Sequence, residues 1–146
     1  MDRYFMELAL QEARLASDEG EVPVGAVIVK DKEIIARAHN MRERTNNPVM
    51  HAEVAAIMQA GEKLGTWNLL DCTLYVTLEP CPMCAGAIIQ SHLGRLVMGA
   101  EDEKGGACGG VCNLFAMPFN HAPVVTRGVL AEESASLLKD FFKNKR

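Results

Sequence analysis

Four residues of this 146-residue chain, His51, Glu53, Cys81 and Cys84, have the types and spacing to do chemistry. One histidine and two cysteines offer three zinc ligands and leave the fourth tetrahedral position open for water, whereas four protein ligands would close the site into a structural staple. Glu53 stands two residues from His51 and offers a carboxylate to carry the protons that an activated water loses. Pro82, one residue after Cys81, predicts that the cysteine pair opens a helix. The positive end of that helix favours thiolates, the form zinc binds. Spacing i, i+3 sets both sulfurs on one face. His51 and Glu53, two apart, point to nearly opposite sides of a regular helix, so they converge only if a helix is just beginning there. Pro48 and the polar residues around it permit such a start.

The elements that must hold these residues can be read from periodicity. Residues 2–19 place Phe5, Leu8, Ala9, Glu12, Ala13 and Ala16 on one face, apolar except at Glu12, and predict an amphipathic helix. Residues 22–29 are a β-branched run broken early by Pro23 and ended by Asp31-Lys32, and residues 33–39 predict the returning strand of a hairpin. The polar residues 41–50 predict a loop. A helix is expected from about His51 to near Gly65, then a strand over 73–78 that runs straight into Pro80-Cys81, and a helix over 82–89. Strands at 95–100 and 124–126 follow, with a glycine-rich loop at 105–110 between them, and a helix from Glu132 to about Lys143 closes the chain. A hairpin followed by alternating strands and helices predicts an α/β fold, a three-layer α/β/α sandwich with a mixed five-stranded sheet. Ligands in such folds gather at the C-terminal ends of strands, where Cys81 is placed. With no repeat, linker or low-complexity segment, residues 1–146 read as a single domain.

Composition narrows the function classes. The net charge of −4 excludes a polycation, so a nucleic-acid partner must be held by a local basic face and by shape. The concentrated basic patch is terminal: Lys143, Lys145 and Arg146. No apolar run approaches the ~20 residues of a membrane span, and residues 1–7 interleave charges with apolar residues unlike a signal peptide. No membrane partner and a cytoplasmic location are therefore expected. The five cysteines, an odd number, argue against a disulfide framework. Other readings of the pair Cys81/Cys84 are a redox couple, half of a zinc ribbon that lacks its second half, and an all-cysteine site completed by Cys108 and Cys112.

The joint pattern H-x-E…P-C-x-x-C resembles the signature by which zinc-dependent nucleobase deaminases are generally described. The segments 21–27, 51–53 and 73–87 are similar to those of bacterial tRNA-specific adenosine deaminases, and the similarity runs on through 99–106, 119–121, 128–130 and 137–142. The resemblance implies a cytidine deaminase-like fold, one zinc ion per chain and a homodimer. It implies hydrolysis of the wobble adenosine to inosine in the anticodon stem-loop of a tRNA, an arginine tRNA in that family. By matched position, Asn40 would hydrogen-bond the flipped nucleotide, Val22, Pro23 and Val24 would line the pocket, and the Ala52 backbone N–H would meet the base. Asp102 would contact the neighbouring nucleotide, and Lys104 and the Phe141-Phe142 helix, with Phe142 foremost, would dock the stem-loop.

Each of these residues also has a plain structural reading: Val22 and Val24 as core strand, Asn40 as a turn residue, Asp102 to Lys104 as a solvated loop, the Phe pair as helix packing. His92 and His121 read as ordinary structural or surface histidines. The chain departs from the family pattern at Asn47-Pro48-Val49-Met50, where Asp-Pro-Thr-Ala is usual, and at residues 109–114. Two rival functions are a deaminase of free guanine, cytosine or a nucleoside, and a non-catalytic zinc-stabilised RNA-binding module. The second has no use for Glu53 or an open metal position.

Overall fold

A computed structural model describes residues 1–144; Lys145 and Arg146, two members of the expected basic patch, lie outside the described residues. The elements run α1 (Asp2–Asp18), β1 (Gly25–Lys30), β2 (Glu33–His39), α2 (Arg42–Thr45), α3 (Ala52–Leu64), β3 (Thr73–Leu78), α4 (Pro82–Gln90), β4 (Arg95–Ala100), a 3-10 turn (Leu114–Ala116), β5 (Val124–Thr126) and α5 (Ala131–Asn144). The strands form one sheet in the order β2-β1-β3-β4-β5. β1 pairs antiparallel with β2 and β3, while β3–β4 and β4–β5 are parallel. This is the mixed five-stranded sheet expected from the sequence.

Side chains alternate across the sheet. Val27, Val29, Tyr75 and Val97 face α1 and α5, where Phe5, Met6, Leu10, Leu130 and Leu137 meet them. Ala26, Ile28, Leu74, Val76, Leu96 and Met98 face α3 and α4, whose contributions are small: Ala52, Ala55, Ala56, Ala60, Ala85, with Ile88 as the large one. Alanines let these two helices lie close to the sheet, which brings their N-termini near the strand ends. Fully burying each Val, Leu or Ile contributes roughly 1.5–3 kcal/mol, so the sheet is anchored on both faces. Among the described residues, no helix is long and apolar enough to cross a membrane.

Local chemistry sets the boundaries. Asp31 and Lys32 both take positive φ, 51° and 63°, which gives the β1–β2 hairpin the tight two-residue turn whose twist suits it. Gly65 ends α3 in the left-handed conformation at φ 67°, where glycine carries no Cβ penalty. Glu12, the polar interruption on the buried face of α1, accepts from Arg37 Nε at 3.2 Å and pairs with His39 Nδ1 at 2.9 Å.

Three expectations are corrected. β1 begins at Gly25, three residues later than the β-branched run suggests. Pro23 has no N–H for a ladder, Val24 N–H turns back on Val22 O at 2.9 Å, and residues 22–24 leave the sheet as an arm. The loop 41–50 holds a one-turn helix, α2, because the Glu21 carboxylate accepts the N–H groups of Glu43 and Arg44 at 3.0 and 2.7 Å. That cap comes from twenty residues away and leaves no local signal. The 3-10 turn at 114–116 was not expected; Asn113 Oδ1 accepts the Phe115 N–H at 3.1 Å and starts it.

One edge of the sheet collects the rest. Gly25 pairs with His39, Ala26 with Val76, and Leu78 with Ala100. The start of β1 and the ends of β2, β3 and β4 therefore lie together, and residues 22–24, Asn40, Glu79 to Cys81 and Asp102 project from that edge.

Candidate active site

His51 and Cys81 occupy equivalent places, each an extended residue at the N-cap of its helix, α3 and α4. Because His51 is the cap (φ −76°, ψ 159°) and Glu53 sits in the first turn, the two need not obey helical spacing, and both face one cavity. α3 lacks a side-chain cap, so its first amides, Ala52 among them, lack a partner from a capping side chain. Pro82 occupies the first turn of α4, where its missing N–H loses no helical bond.

His51 Nδ1 lies 3.6 Å from Cys81 Sγ and 3.5 Å from Cys84 Sγ. Tetrahedral zinc with ordinary Zn–S and Zn–N lengths separates its sulfur and nitrogen ligands by about 3.5 Å. Among the described residues, these three are the group of histidine, cysteine or acidic side chains close enough to hold an ion, with ligand atoms within 4.8 Å of one another. The residues present therefore fit a zinc ion with one open position. Cys108 and Cys112 are not part of the group. Cys108 is buried against Pro80 O at 3.9 Å and its thiol is pushed up to about 12, chiefly by burial, while Cys112 is exposed. The all-cysteine alternative has no geometry to support it.

The charges at this corner are interdependent. Cys84 donates to Cys81, which draws the Cys81 thiol down to about 4 and lifts that of Cys84. Two sulfurs sharing one proton need a cation before both can be thiolates. The hydrogen bond with Cys81 holds the His51 pKa above its ordinary value. Glu53 is 4% exposed, and burial pushes its carboxyl up to about 7. A dication beside it opposes that shift by favouring the carboxylate.

The cavity measures about 140 Å³ and is lined by His51, Ala52, Glu53 and Cys81 on one side, Val22, Val24, Asn40 and Arg42 on another, and Leu78, Glu79 and Asp102 on the third. Ligand sites for drug-sized molecules run to ~300–1,000 Å³, so this one suits a single ring system. Asn40 is buried at the wall; its Nδ2 donates to Val22 O at 3.3 Å and its Oδ1 accepts the Arg42 N–H at 3.3 Å, both long bonds. Val22, Asn40 and Arg42 also line a shallower groove of about 320 Å³ next door, whose far wall is Phe141 and Phe142.

Of the residues singled out from the sequence, eight share the cavity lining: Val22, Val24, Asn40, His51, Ala52, Glu53, Cys81 and Asp102. Cys84 is buried behind it with its sulfur in the ligand group. Pro23 is buried outside the lining, Lys104 is exposed, and Phe142, 52% exposed, belongs to the adjoining groove. Sequence reasoning passed over Arg42, Leu78 and Glu79 in the wall and Glu21 behind α2. The usable signal was an acidic residue set in an apolar strand exit, Leu78-Glu79-Pro80. Met50, bulky where alanine is usual, packs partly buried against the α3 side of the core.

A family model, that of the MafB19-like deaminases, matches residues 1–146. The tRNA-specific adenosine deaminase of Bacillus subtilis (strain 168) is 50% identical over 146 residues, covering 99% of this chain and 91% of that one. The chain belongs to the tRNA-specific adenosine deaminase family. A solved structure described as a tRNA:A34 deaminase that performs A-to-I editing at the wobble position superposes at a TM-score of 0.88 with 48% identity, covering 92% of this chain and 99% of that one. A guanine deaminase from Bacillus subtilis is more distant at 33% identity and a TM-score of 0.66, over 97% and 92% of the two chains. The tRNA branch of the deaminases is thus nearer in both sequence and shape than this free-base branch.

Proposed function

We propose that this chain, as one domain over residues 1–146, deaminates the wobble adenosine of a tRNA anticodon stem-loop to inosine with one zinc ion, an arginine tRNA being the substrate its family resemblance favours. The observation that carries the reading is the nitrogen–sulfur geometry of His51, Cys81 and Cys84, with buried Glu53 beside it in a cavity the size of a single base. His51, Cys81 and Cys84 hold the ion. When bound, zinc supplies the Lewis acidity that brings the pKa of a water towards ~7.

Glu53 takes the proton that the attacking water releases and delivers it to the ring nitrogen beside the carbon under attack. The hydroxyl adds to that carbon, Glu53 takes the proton of the added hydroxyl and passes it to the amino group, and ammonia leaves as the C–N bond breaks and the carbonyl forms. Water and adenosine thus become inosine and ammonia, with one carboxylate shuttling both protons. Val22 and Val24 flank the base, Asn40 hydrogen-bonds the flipped nucleotide and the Ala52 N–H meets the ring. A loop base is cheaply extruded because no duplex holds it, and the small cavity demands that it arrive alone.

Asp102 contacts the neighbouring nucleotide, while Lys104 and Phe142, in the adjoining groove, dock the stem-loop; Pro23 stiffens the arm that carries Val22 and Val24. A homodimer is supported by an apolar groove of about 410 Å³ between α3 and α4, where Met58 and Trp67 stand 59% and 67% exposed. Apolar surface of that kind is what a second copy covers. A tRNA substrate supports the expected cytoplasmic location.

The test is ammonia release and inosine formation by zinc-loaded protein given an arginine-tRNA stem-loop with wobble adenosine, beside free guanine, cytosine and adenosine. Inosine in the stem-loop alone supports the reading. Turnover of a free base alone keeps the zinc chemistry and overturns the substrate.

A further inference from the structure

Glu79 directly follows β3, the strand that delivers Cys81, and the reaction above gives it nothing to do. It is 2% exposed. A carboxylate so buried persists only with its lone pairs satisfied. Its partners are three backbone N–H groups: Oε1 accepts from Asp102 at 3.1 Å, and Oε2 from Cys108 at 3.0 Å and Gly110 at 2.8 Å. All three belong to the one segment that follows β4. Three amides spread over one loop converge on the carboxylate, so the loop is folded around a side chain of the protein itself.

The fit leaves no slack. A Cβ at Gly106 would strike the Glu79 carboxylate, and one at Gly110 would strike the Asp102 carbonyl and approach Glu79 Oε1 to 3.0 Å. The loop is closed on itself by Gly106 N–H on Asp102 O at 2.9 Å, and Asp102 Oδ1 accepts the N–H groups of Lys104 and Gly105 at 3.1 and 3.0 Å. On the strand side, Glu79 N–H donates to Ala100 O at 2.9 Å and Pro80 O accepts the Ala107 N–H at 2.9 Å. The stretch that presents Cys81 and the loop that presents Asp102 are thereby one piece, with Glu79 as the pin.

We infer that Glu79 is a positioning residue that sets the neighbour-nucleotide specificity of the site by holding Asp102 at the cavity wall. The inference rests on the tRNA reading, in which Asp102 meets the nucleotide beside the reacting adenosine. Both Glu79 oxygens are taken by amides, so its influence reaches substrate through the loop. Glu79→Gln keeps the shape but turns an NH2 towards amide donors, which loosens the loop's hold from within. Gly110→Ala loosens it from the loop side, since the added Cβ meets the Asp102 carbonyl first and leaves the Glu79 carboxylate chemically unchanged.

The experiment measures kcat and KM of the zinc-loaded full chain on wobble-adenosine stem-loops with the original and with substituted nucleotides flanking the adenosine. Variants are Glu79→Gln, Gly110→Ala, Asp102→Ala, and each of the first two combined with the third; zinc content is read by mass spectrometry. Expected for Glu79→Gln and Gly110→Ala are full zinc content, KM raised about tenfold with kcat within about threefold, and weaker discrimination between flanking nucleotides. In the Asp102→Ala background both changes should add less than about twofold, because residues acting through one contact are not additive.

Additive losses, a fall in kcat at unchanged KM, or loss of zinc would each overturn the positioning role. If Glu79→Gln does not accumulate as folded protein, Gly110→Ala is judged by the same criteria. Wild-type enzyme that ignores every stem-loop while turning over a free base removes the tRNA reading, and this inference with it. Wild-type activity on stem-loops with no coupling to Asp102 removes the inference alone.

Discussion

The metal corner and the substrate wall share one cavity but are built by different means. His51 and Cys81 are the caps of two helices whose alanine faces lie flat on the sheet, so their positions follow from packing of the core. Arg42 and Asp102, on the opposite walls, sit in segments with little regular structure, and each segment hangs on a single buried carboxylate: Glu21, 0% exposed, for the first and Glu79 for the second. On the proposed reading, chemistry is placed by secondary structure and recognition by buried carboxylates that accept from backbone amides. The first arrangement resists change because moving a ligand means moving a helix. The second can be retuned through the loop side chains that face the cavity, which suits a fold that one relative uses for tRNA adenosine and a more distant one for guanine.

The sharpest break at the metal corner is Cys84→Ala. Cys84 is fully buried and its sulfur stands 3.5 Å from His51 Nδ1 in the ligand group, so its loss should abolish zinc retention and drive deamination below detection, checked by metal analysis and ammonia release. Catalytic zinc needs its three protein ligands. Glu53→Ala should differ in kind: zinc stays bound while kcat falls by about 10³–10⁴-fold, the upper range for loss of a general acid–base. Retained turnover with Glu53 removed would assign the proton transfers elsewhere.

The same contrast explains what could be read in advance. Strands β2, β3, β4 and β5 were legible to the residue because turns, β-branching and proline mark them locally. The three residues that could hold an ion were legible because zinc demands ligands of particular types and spacing. That His51 and Glu53 converge was not, since it depends on His51 being a cap and not a helical residue. The walls were least legible. α2 exists because of Glu21, and the 102–110 loop has its shape because of Glu79, and both carboxylates act across more than twenty residues of chain. Asp102 and Asn40 could be named, at best, without their surroundings, and Arg42 could not be named at all. Hydrogen bonds between a side chain and distant backbone leave no periodicity to find.

At the outer wall the effects should shrink. Phe142→Ala removes an exposed ring from the groove beside the cavity. Stacking of a base on an aromatic side chain contributes about 1–3 kcal/mol, and at a half-exposed position the lower end applies, so KM for the stem-loop should rise about five- to tenfold with kcat unchanged. A matched rise with free adenosine would mean the ring shapes the cavity itself and does not act on the stem-loop.

The smallest effect tests whether charge on the scaffold reaches the wall at all. Burial lowers the His39 pKa, but the hydrogen bonds its ring makes to Glu12 on α1 and to Glu19 just beyond it outweigh this, and the net shift is upward from 6.5. Arg37 also pairs with Glu12, and Arg44 on α2 with Glu19. A histidine whose folded pKa is raised stabilises fully below its unfolded pKa, and the contribution is lost as pH rises through the folded value. Wild type should therefore lose about 1–3 °C of Tm between pH ~6.5 and the folded pKa relative to His39→Gln, whose Tm lacks that slope. KM for the stem-loop should not follow, because α2 is fastened by the Glu21 bonds to its backbone and not by the exposed Arg44–Glu19 pair. If KM instead tracks the His39 titration, the wall is suspended from the surface ion pairs, and the division between a rigid metal corner and an independently pinned wall fails.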